Sequence, residues 1–510
     1  MKKIGAIAVV FMLLAVTAAA TQYNPYNLLI APGTLAENSV SLLWDKVYSK
    51  DTVRYEIFLN NKLYTITDKT NIAISDLRPN TQYSVGVHEK TSSDKKVRRY
   101  LYLLKFKTPK KGKVFNILDY GAKGDSLFKN TTSIQKAIEA CTAGGTVYIP
   151  KGIYLSGALF LKSNMTLYIE KGAMLKGTTD VADYMPMYLN RFEGWELKTY
   201  ASLINAGALN RDGSYNVKQL RITGGGTISG GGKKLGDDMW NTGGERTRAR
   251  LICLMNCQDV SIDNLTITEP PSWTIHYIYS DNITCHDLNI VTYGIRNSDG
   301  IDPDSSTDSY IFNCTFDNGD DCIAIKSGKN PEGFIIAKPT KNVRITHCNF
   351  IRGHGISIGS EMSGGVSDVL VQDCKAGALI NGMQIKGTKE RGGYVRNITV
   401  ADCQLLKITV FSKLNYNNDG EGAPEPPIFE NFVFKNIDLS NASVKEPVIN
   451  INGFADPAHK LKNVNFINVL MPEKAKVIIN DATKVMFTDV YSAGGAKPVY
   501  TVANSTEINY

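Results

Sequence analysis

Beyond its first 20 residues the chain has no uninterrupted apolar run of about 18, so nothing there predicts a membrane-spanning helix. Nine cysteines are present, but no Cys-x-x-Cys pair and no His/Cys cluster at zinc spacing, and histidine is scarce at six. No metal centre or cofactor is expected. The glycine-rich stretch Thr223-Gly224-Gly225-Gly226-Thr227 lacks the Lys-Ser/Thr ending of a nucleotide loop, which leaves tight backbone turns as its reading. With no basic helix, zinc-finger spacing or aromatic RNA-binding motif, nucleic acid is not an expected partner.

The chain does have a leader-like start. Lys2-Lys3 precede an apolar run over residues 4–16, and Ala18-Ala19-Ala20 offer a small-residue cleavage site, so residues 1–20 are read as a signal peptide. Thr21 follows, with no cysteine in the position a lipoprotein signal needs. An exported protein, periplasmic or secreted, is expected. Lys and Arg number 57 against 49 Asp and Glu, a formal charge of +8 that falls to +6 when Lys2 and Lys3 leave. A modest basic excess suits an acidic substrate.

Residues 24 to about 109 alternate apolar and polar positions in short runs, such as Val40-Ser41-Leu42-Leu43-Trp44 and Tyr55-Glu56-Ile57-Phe58-Leu59, bounded by turn residues such as Asn60-Asn61. The segment Leu77-Arg78-Pro79-Asn80-Thr81-Gln82-Tyr83 resembles the tyrosine corner of fibronectin type III domains, and Trp44 sits where their core tryptophan would. A small β-sandwich over 24–109 is therefore expected, followed by the linker Pro109-Lys110-Lys111-Gly112.

The remainder, 113–510, is expected to be one solenoid. Alternating apolar runs beginning at Val260, Ile283, Ile311, Val343, Val369, Ile398, Phe432, Val464 and Val485 recur every 21 to 34 residues. Units of this kind bury their apolar side only by stacking, the logic of a right-handed parallel β-helix, and the fold class is all-β. Alignment on the strands puts Leu265, Leu288, Cys314, Cys348, Cys374, Cys403, Ile437 and Val469 at one equivalent position. Four cysteines sharing a slot with aliphatic residues predict an inward apolar ladder, not a disulfide framework.

Four segments carry chemistry at coil spacing: Asn297-Ser298-Asp299, Gly319-Asp320-Asp321, Gly353-His354-Gly355 and Gln384-Ile385-Lys386. Stacked parallel coils lie about 4.8 Å apart, so three carboxylates, an imidazole and an ammonium converge on one patch. His354 falls four residues after Phe350 as Asp320 falls four after Phe316, so both leave their strands at the same point on the coil.

In these residues the chain resembles glycoside hydrolase family 28, the polygalacturonases and their relatives. Asp119-Tyr120-Gly121-Ala122-Lys123-Gly124-Asp125, Gln135-Lys136-Ala137-Ile138 and Gly144-Gly145-Thr146-Val147-Tyr148-Ile149-Pro150 look like the capped start of that family's β-helix. The more specific run is Asn297-Ser298-Asp299-Gly300-Ile301-Asp302-Pro303-Asp304, then Asn318-Gly319-Asp320-Asp321-Cys322-Ile323-Ala324, then Gly353-His354-Gly355-Ile356-Ser357-Ile358-Gly359-Ser360. The resemblance implies an inverting hydrolase of α-linked galacturonate chains, with Asp320 as general acid and Asp299 and Asp321 activating water. Acid and base would then stand about 6.5–9.5 Å apart. Crowding of three aspartates is expected to raise the pKa of at least one and keep the acid protonated.

The resemblance further implies that His354 tunes the acid and that Lys386 binds a substrate carboxylate. Where the family commonly has an Arg-apolar-Lys trio, this chain has Gln384-Ile385-Lys386, a neutral amide in place of a planar cation. Either Arg391 supplies that charge or the sugar there is neutral, as in a rhamnogalacturonan or substituted pectin. Asn297, Trp273 and His276 are candidate sugar contacts, Trp273 by stacking or else by buried packing, and Arg250 and Arg296 are candidates for added positive potential. The fibronectin-like module, with the region around Trp240 and Arg250, resembles bacterial exo-acting members of the family, which implies attack from a chain end. A calcium-dependent pectate lyase and a non-catalytic carbohydrate-binding β-helix are the alternatives, and the protein is expected to act as a monomer on an acidic polysaccharide.

Overall fold

The structure is a computed structural model that describes residues 24, 26–47, 53–90, 102–412, 420–492 and 494–510; the expected signal peptide lies outside them. The described residues divide into two compact units, the first made of those within 24–30, 41–74 and 81–107 and the second of the rest.

In the N-terminal part, short strands form two antiparallel sheets. Leu29–Ile30, Val40–Leu43 and Asn71–Ile74 make a three-stranded sheet. The other runs in the order Lys62–Thr67, Arg54–Leu59, Gln82–Lys90, Leu103–Lys107. Trp44 is buried and meets Tyr55 edge to face at 5.4 Å, while Tyr83 stacks on Phe106 at 5.7 Å.

The large unit is a right-handed parallel β-helix, the hand that parallel crossovers take. Its coils contribute to a 23-stranded sheet and a 12-stranded sheet, both of stacked parallel strands. A helix, Thr131–Ala140, covers the N-terminal end. Its apolar residues Ile134, Ala137 and Ile138, at i, i+3 and i+4, are all buried.

Period-two alternation decides which side chains enter the coil: in Thr340–Thr346, Val343 and Ile345 point in and pair with Val369 and Val371 of the next turn. The cysteine ladder is present as expected. Cys314, Cys348, Cys374 and Cys403 are buried free thiols, and Cys403 stacks on Ile437 and Ile437 on Val469. The residue before each rung has a left-handed backbone: Asn264, Asp287, Asn313, His347, Asp373, Asp402, Asn436 and Asn468, with φ between 52° and 55°. Asn and Asp occupy that region at least cost after glycine, so each coil turns a corner there without a glycine.

The 12-stranded sheet positions the polar cluster. Ile301, Ile323, Ile356, Met383 and Ile408 stack inward in register, as do Ile325, Ile358 and Ile385. The residues between and beyond them therefore face outward: Asp302-Asp304, Ala324-Lys326, Ser357-Gly359 and Gln384-Lys386, one pair per coil.

Candidate active site

Asp320 and Asp321 stand just before the strand Ile323–Ile325, His354 just before Ile356–Ile358, and Asp299 just before Ile301–Asp304, so the coil repeat brings all four to one edge of the outer face. Asp321 is the most heavily bonded. Its Oδ1 accepts from Ser357 Oγ at 2.6 Å and from Gln384 Nε2 at 3.5 Å, and its Oδ2 accepts from Lys386 Nζ at 3.0 Å. Burial opposes its ionisation, but Lys386, His354 and Ser357 outweigh burial and hold the carboxyl well below the usual carboxylate range.

Asp320 is only partly buried, and its Oδ1 accepts the Asp321 backbone N–H at 2.9 Å. His354 Nδ1 lies 3.0 Å from that same oxygen and 3.6 Å from Asp321 Oδ1. Bonds to Asp320 and then to Asp321 push the imidazole up to about 10, so it is a cation at neutral pH and its Nδ1–H donates.

Asp299 is gripped from the next coil, where Lys326 Nζ donates to its Oδ2 at 3.3 Å. Burial raises the Asp299 carboxyl well above its ordinary value, with Lys326 opposing. The same ammonium lies 3.4 Å from Asp302 Oδ1, 3.8 Å from Glu361 Oε1 and 3.6 Å from the centre of the Trp273 ring. Burial disfavours the charge on Lys326, but Glu361, Asp299 and Asp302 keep it well above the ordinary range.

Over these groups lies a cleft lined by Phe192, Glu193, Trp273, Asn297, Asp299, Asp320, Asp321, Lys386 and Arg391, with Lys326, Lys329, Gly359, Ser360 and Glu361. Part of its wall is an antiparallel hairpin, Tyr188–Phe192 with Trp195–Thr199. Its tip is pinned to the loop after Ile323–Ile325: Lys329 N–H donates to Gly194 O at 3.1 Å and Trp195 Nε1–H to Asn330 O at 2.9 Å. Carboxylates in unlike environments beside a ring of cations fit general acid and base work on an anionic sugar chain.

The family model "Glycosyl hydrolases family 28" matches residues 142–487. The chain belongs to that family. It is 32% identical to a probable polygalacturonase of Vitis vinifera, over 64% of this chain and 69% of the relative. With an exo-poly-alpha-D-galacturonosidase of Dickeya chrysanthemi it shares 26% identity over 92% of this chain and 91% of the relative. Among solved structures, the family 28 exopolygalacturonase of Yersinia enterocolitica superposes with a TM-score of 0.85 at 26% identity, covering 95% of this chain and 98% of that one. A hyperthermoactive exopolygalacturonase from Thermotoga maritima gives 0.58 at 26% identity, covering 78% and 92%. Family membership makes the chain a glycosidase. Among the described residues no helix is long and apolar enough to cross a membrane.

The fold brings Asp299, Asp320, Asp321, His354, Gln384 and Lys386 together, and Asn297 and Arg391 reach the cleft lining. Three expectations need correction. His276 is fully buried, 3.2 Å from Asp304 Oδ2, and burial holds its imidazole down at about 4; it is a neutral packing residue without access to sugar. Trp273 stacks on Phe192 at 4.5 Å beneath Lys326, so of its two expected roles packing is the one its covered ring fulfils. Arg250 is fully buried and donates to Arg191 O at 2.9 Å; the arginine reaching this region is Arg248, which donates to Asn297 Oδ1 at 3.1 Å. Burial raises the Asp299 and Asp302 carboxyls, the latter up to about 7, whereas Asp321 goes down, so burial and not crowding of the aspartates is the main cause of the upward shifts.

Lys326, Asp302 and Glu361 were not singled out in the sequence. A signal for the first two exists in the outward triplets Asp302-Pro303-Asp304, Ala324-Ile325-Lys326 and Gln384-Ile385-Lys386, where the pattern that exposes Lys386 exposes Lys326 as well.

Proposed function

We propose that this chain is an exo-acting polygalacturonase that hydrolyses α-linked galacturonate chains from an end, with inversion. The hairpin tip carries the reading: Phe192 and Glu193 line the cleft, and the tip stands over the coil of Trp273, which precedes that of Asp299, as a wall where an open groove would let a chain run through. The family 28 relatives with exo names support it.

In this reading Asp320 gives its proton to the glycosidic oxygen as the C–O bond breaks. Water attacks the anomeric carbon from the opposite face, and Asp299 and Asp321 take up its proton. Asp321 fits because Lys386 keeps it ionised. His354 orients Asp320 through the 3.0 Å contact. Lys386, in the cleft lining, supplies positive charge for a uronate carboxylate.

The test is product analysis on polygalacturonate over time. Saturated mono- or digalacturonate from the first minutes supports exo hydrolysis, whereas a ladder of longer intermediates overturns it. Asp320→Asn is expected to lower kcat by about 10²–10⁴. A second reading keeps this chemistry but places a neutral sugar on the leaving side. The uncharged outward row Ser357, Gln384, Thr409 and Asn450 favours it, and rhamnose-containing products from rhamnogalacturonan would establish it.

A further inference from the structure

Lys326 follows the strand Ile323–Ile325, and its ammonium is held by groups from the coils on either side. Asp299 and Asp302, on the coil before, lie 3.3 and 3.4 Å away, and Glu361, on the coil after, lies 3.8 Å away. The Trp273 ring, one coil further back, stands 3.6 Å from the ammonium and is itself stacked on Phe192 of the hairpin. With its side chain 5% exposed, Lys326 is a fixed buried charge and not a mobile surface one. Among the described residues it is the one cation within 4 Å of Asp299, and it donates to Asp299 Oδ2. A carboxylate as buried as Asp299 is stable as an anion only beside a paired cation.

We propose that Lys326 is the positioning residue of the general base: its ammonium, clamped among three carboxylates, orients Asp299 Oδ2 and supplies the positive charge against which this buried carboxyl ionises. The direction of the electrostatics agrees, since burial raises the Asp299 carboxyl and Lys326 is the largest influence opposing it. The other charged groups facing the pair modulate this hold. Asp302 and Glu361 share the ammonium and so weaken its grip on Asp299, while keeping Lys326 protonated. Asp320 and Asp321 add negative charge, offset by His354 and Lys386. Arg248 adds positive potential at Asp299, Arg391 and Lys386 do so at Glu361, and His276 is neutral.

The proposal rests on Asp299 acting as base, and its test separates the two ideas. The acid limb of kcat/KM on polygalacturonate reports ionisation of the base. Lys326→Met removes the charge, so the limb is expected to move up by about 1–3 pH units, which lowers kcat/KM on its acid side by about ten- to a thousandfold. Glu361→Gln removes a competitor for the ammonium and is expected to move the limb the other way, down. Lys326→Arg keeps a cation and is expected to hold the limb in place whatever its rate. An unmoved limb in Lys326→Met overturns the proposal, as does a rise in KM at constant kcat, which marks a uronate clamp instead. Where Lys326→Met fails to fold, Glu361→Gln decides, and a limb that stays or rises overturns the proposal. A second readout does not depend on turnover: carbon-13 NMR titration of labelled aspartate carboxyls, with the Asp299 signal assigned by its loss in Asp299→Asn. That carboxyl is expected to titrate higher in Lys326→Met and lower in Glu361→Gln, and indifference to both overturns the proposal. Shifts in the signal with no movement of the limb uphold the clamp and overturn Asp299 as the base.

Discussion

Lys386 Nζ lies 3.0 Å from Asp321 Oδ2, with the two side chains only 8% and 5% exposed. The pair makes one partner's loss costly, because the other is left as a buried uncompensated charge. Lys386→Met is expected to destabilise the protein by about 3–5 kcal/mol at neutral pH, read by denaturant unfolding. The Asp321 pKa is depressed in the folded state, so its contribution is full above the unfolded value of about 3.9 and is lost as pH falls through the lower folded one. The gap between wild type and variant therefore narrows in acid. A gap independent of pH would show that Lys386 acts through packing alone.

Bonds from the Nδ1–H to Asp320 and then to Asp321 push the His354 imidazole up to about 10. Its folded pKa is raised, so its stabilisation is complete below the unfolded value of about 6.5 and disappears as pH rises through 10. Stability measured against His354→Gln is expected to converge over that window. The wild-type pH-rate profile is expected to show no histidine inflection between about pH 5 and 8. One appearing there and vanishing in His354→Gln would show a neutral imidazole in the working enzyme.

How much of this was legible beforehand depends on what carries the information. The coil repeat is local: alternating apolar residues and, before every rung but Cys348, an Asn or Asp survive in the sequence, so the solenoid and the Leu265–Val469 ladder could be read directly. Asp299, Asp320, Asp321, His354 and Lys386 were legible because they recur at coil spacing. Lys326 was not, since its role comes from three carboxylates contributed by two other segments. Neither were Phe192 and Glu193, which reach the cleft only because an inserted hairpin folds back more than 100 residues along the chain, onto Lys329 and Asn330. His276 looked like a contact because its segment, with Trp273, resembles one near the family's cleft; what removes it is burial against Asp304, a tertiary fact.

Chelation offers a direct test against lyase chemistry. Calcium takes six to eight oxygen ligands. Asp320, Asp321 and His354 have ligand atoms within 4.8 Å of one another, but Lys386, Ser357 and His354 already occupy the Asp321 oxygens and Lys326 holds Asp299. A divalent cation would have to displace buried ammonium groups. Activity is therefore expected to be unchanged by EDTA or added calcium, with no unsaturated, ultraviolet-absorbing product; loss of activity on chelation, restored by calcium, would favour a lyase.

Gln384 gives the sharpest statement about specificity. It faces outward between Ser357 and Thr409 on neighbouring coils, and its amide reaches Asp321 Oδ1 at 3.5 Å. Arg391, the other candidate for positive charge here, is fully buried and donates to Ser360 O at 2.9 Å and Asn330 Oδ1 at 2.6 Å, so its guanidinium is committed to the wall of the cleft. A uronate bound over Gln384 then meets Lys386 alone. Gln384→Arg adds a planar donor, and a hydrogen bond between charged groups is worth about 1.5–3 kcal/mol, so KM for unsubstituted polygalacturonate is expected to fall by about tenfold or more. The effect belongs in KM because the new contact is made in ground and transition states alike. A variant with unchanged KM on polygalacturonate but weakened action on rhamnogalacturonan would mean instead that the native amide recognises a neutral sugar, and that the missing cation is this enzyme's specificity.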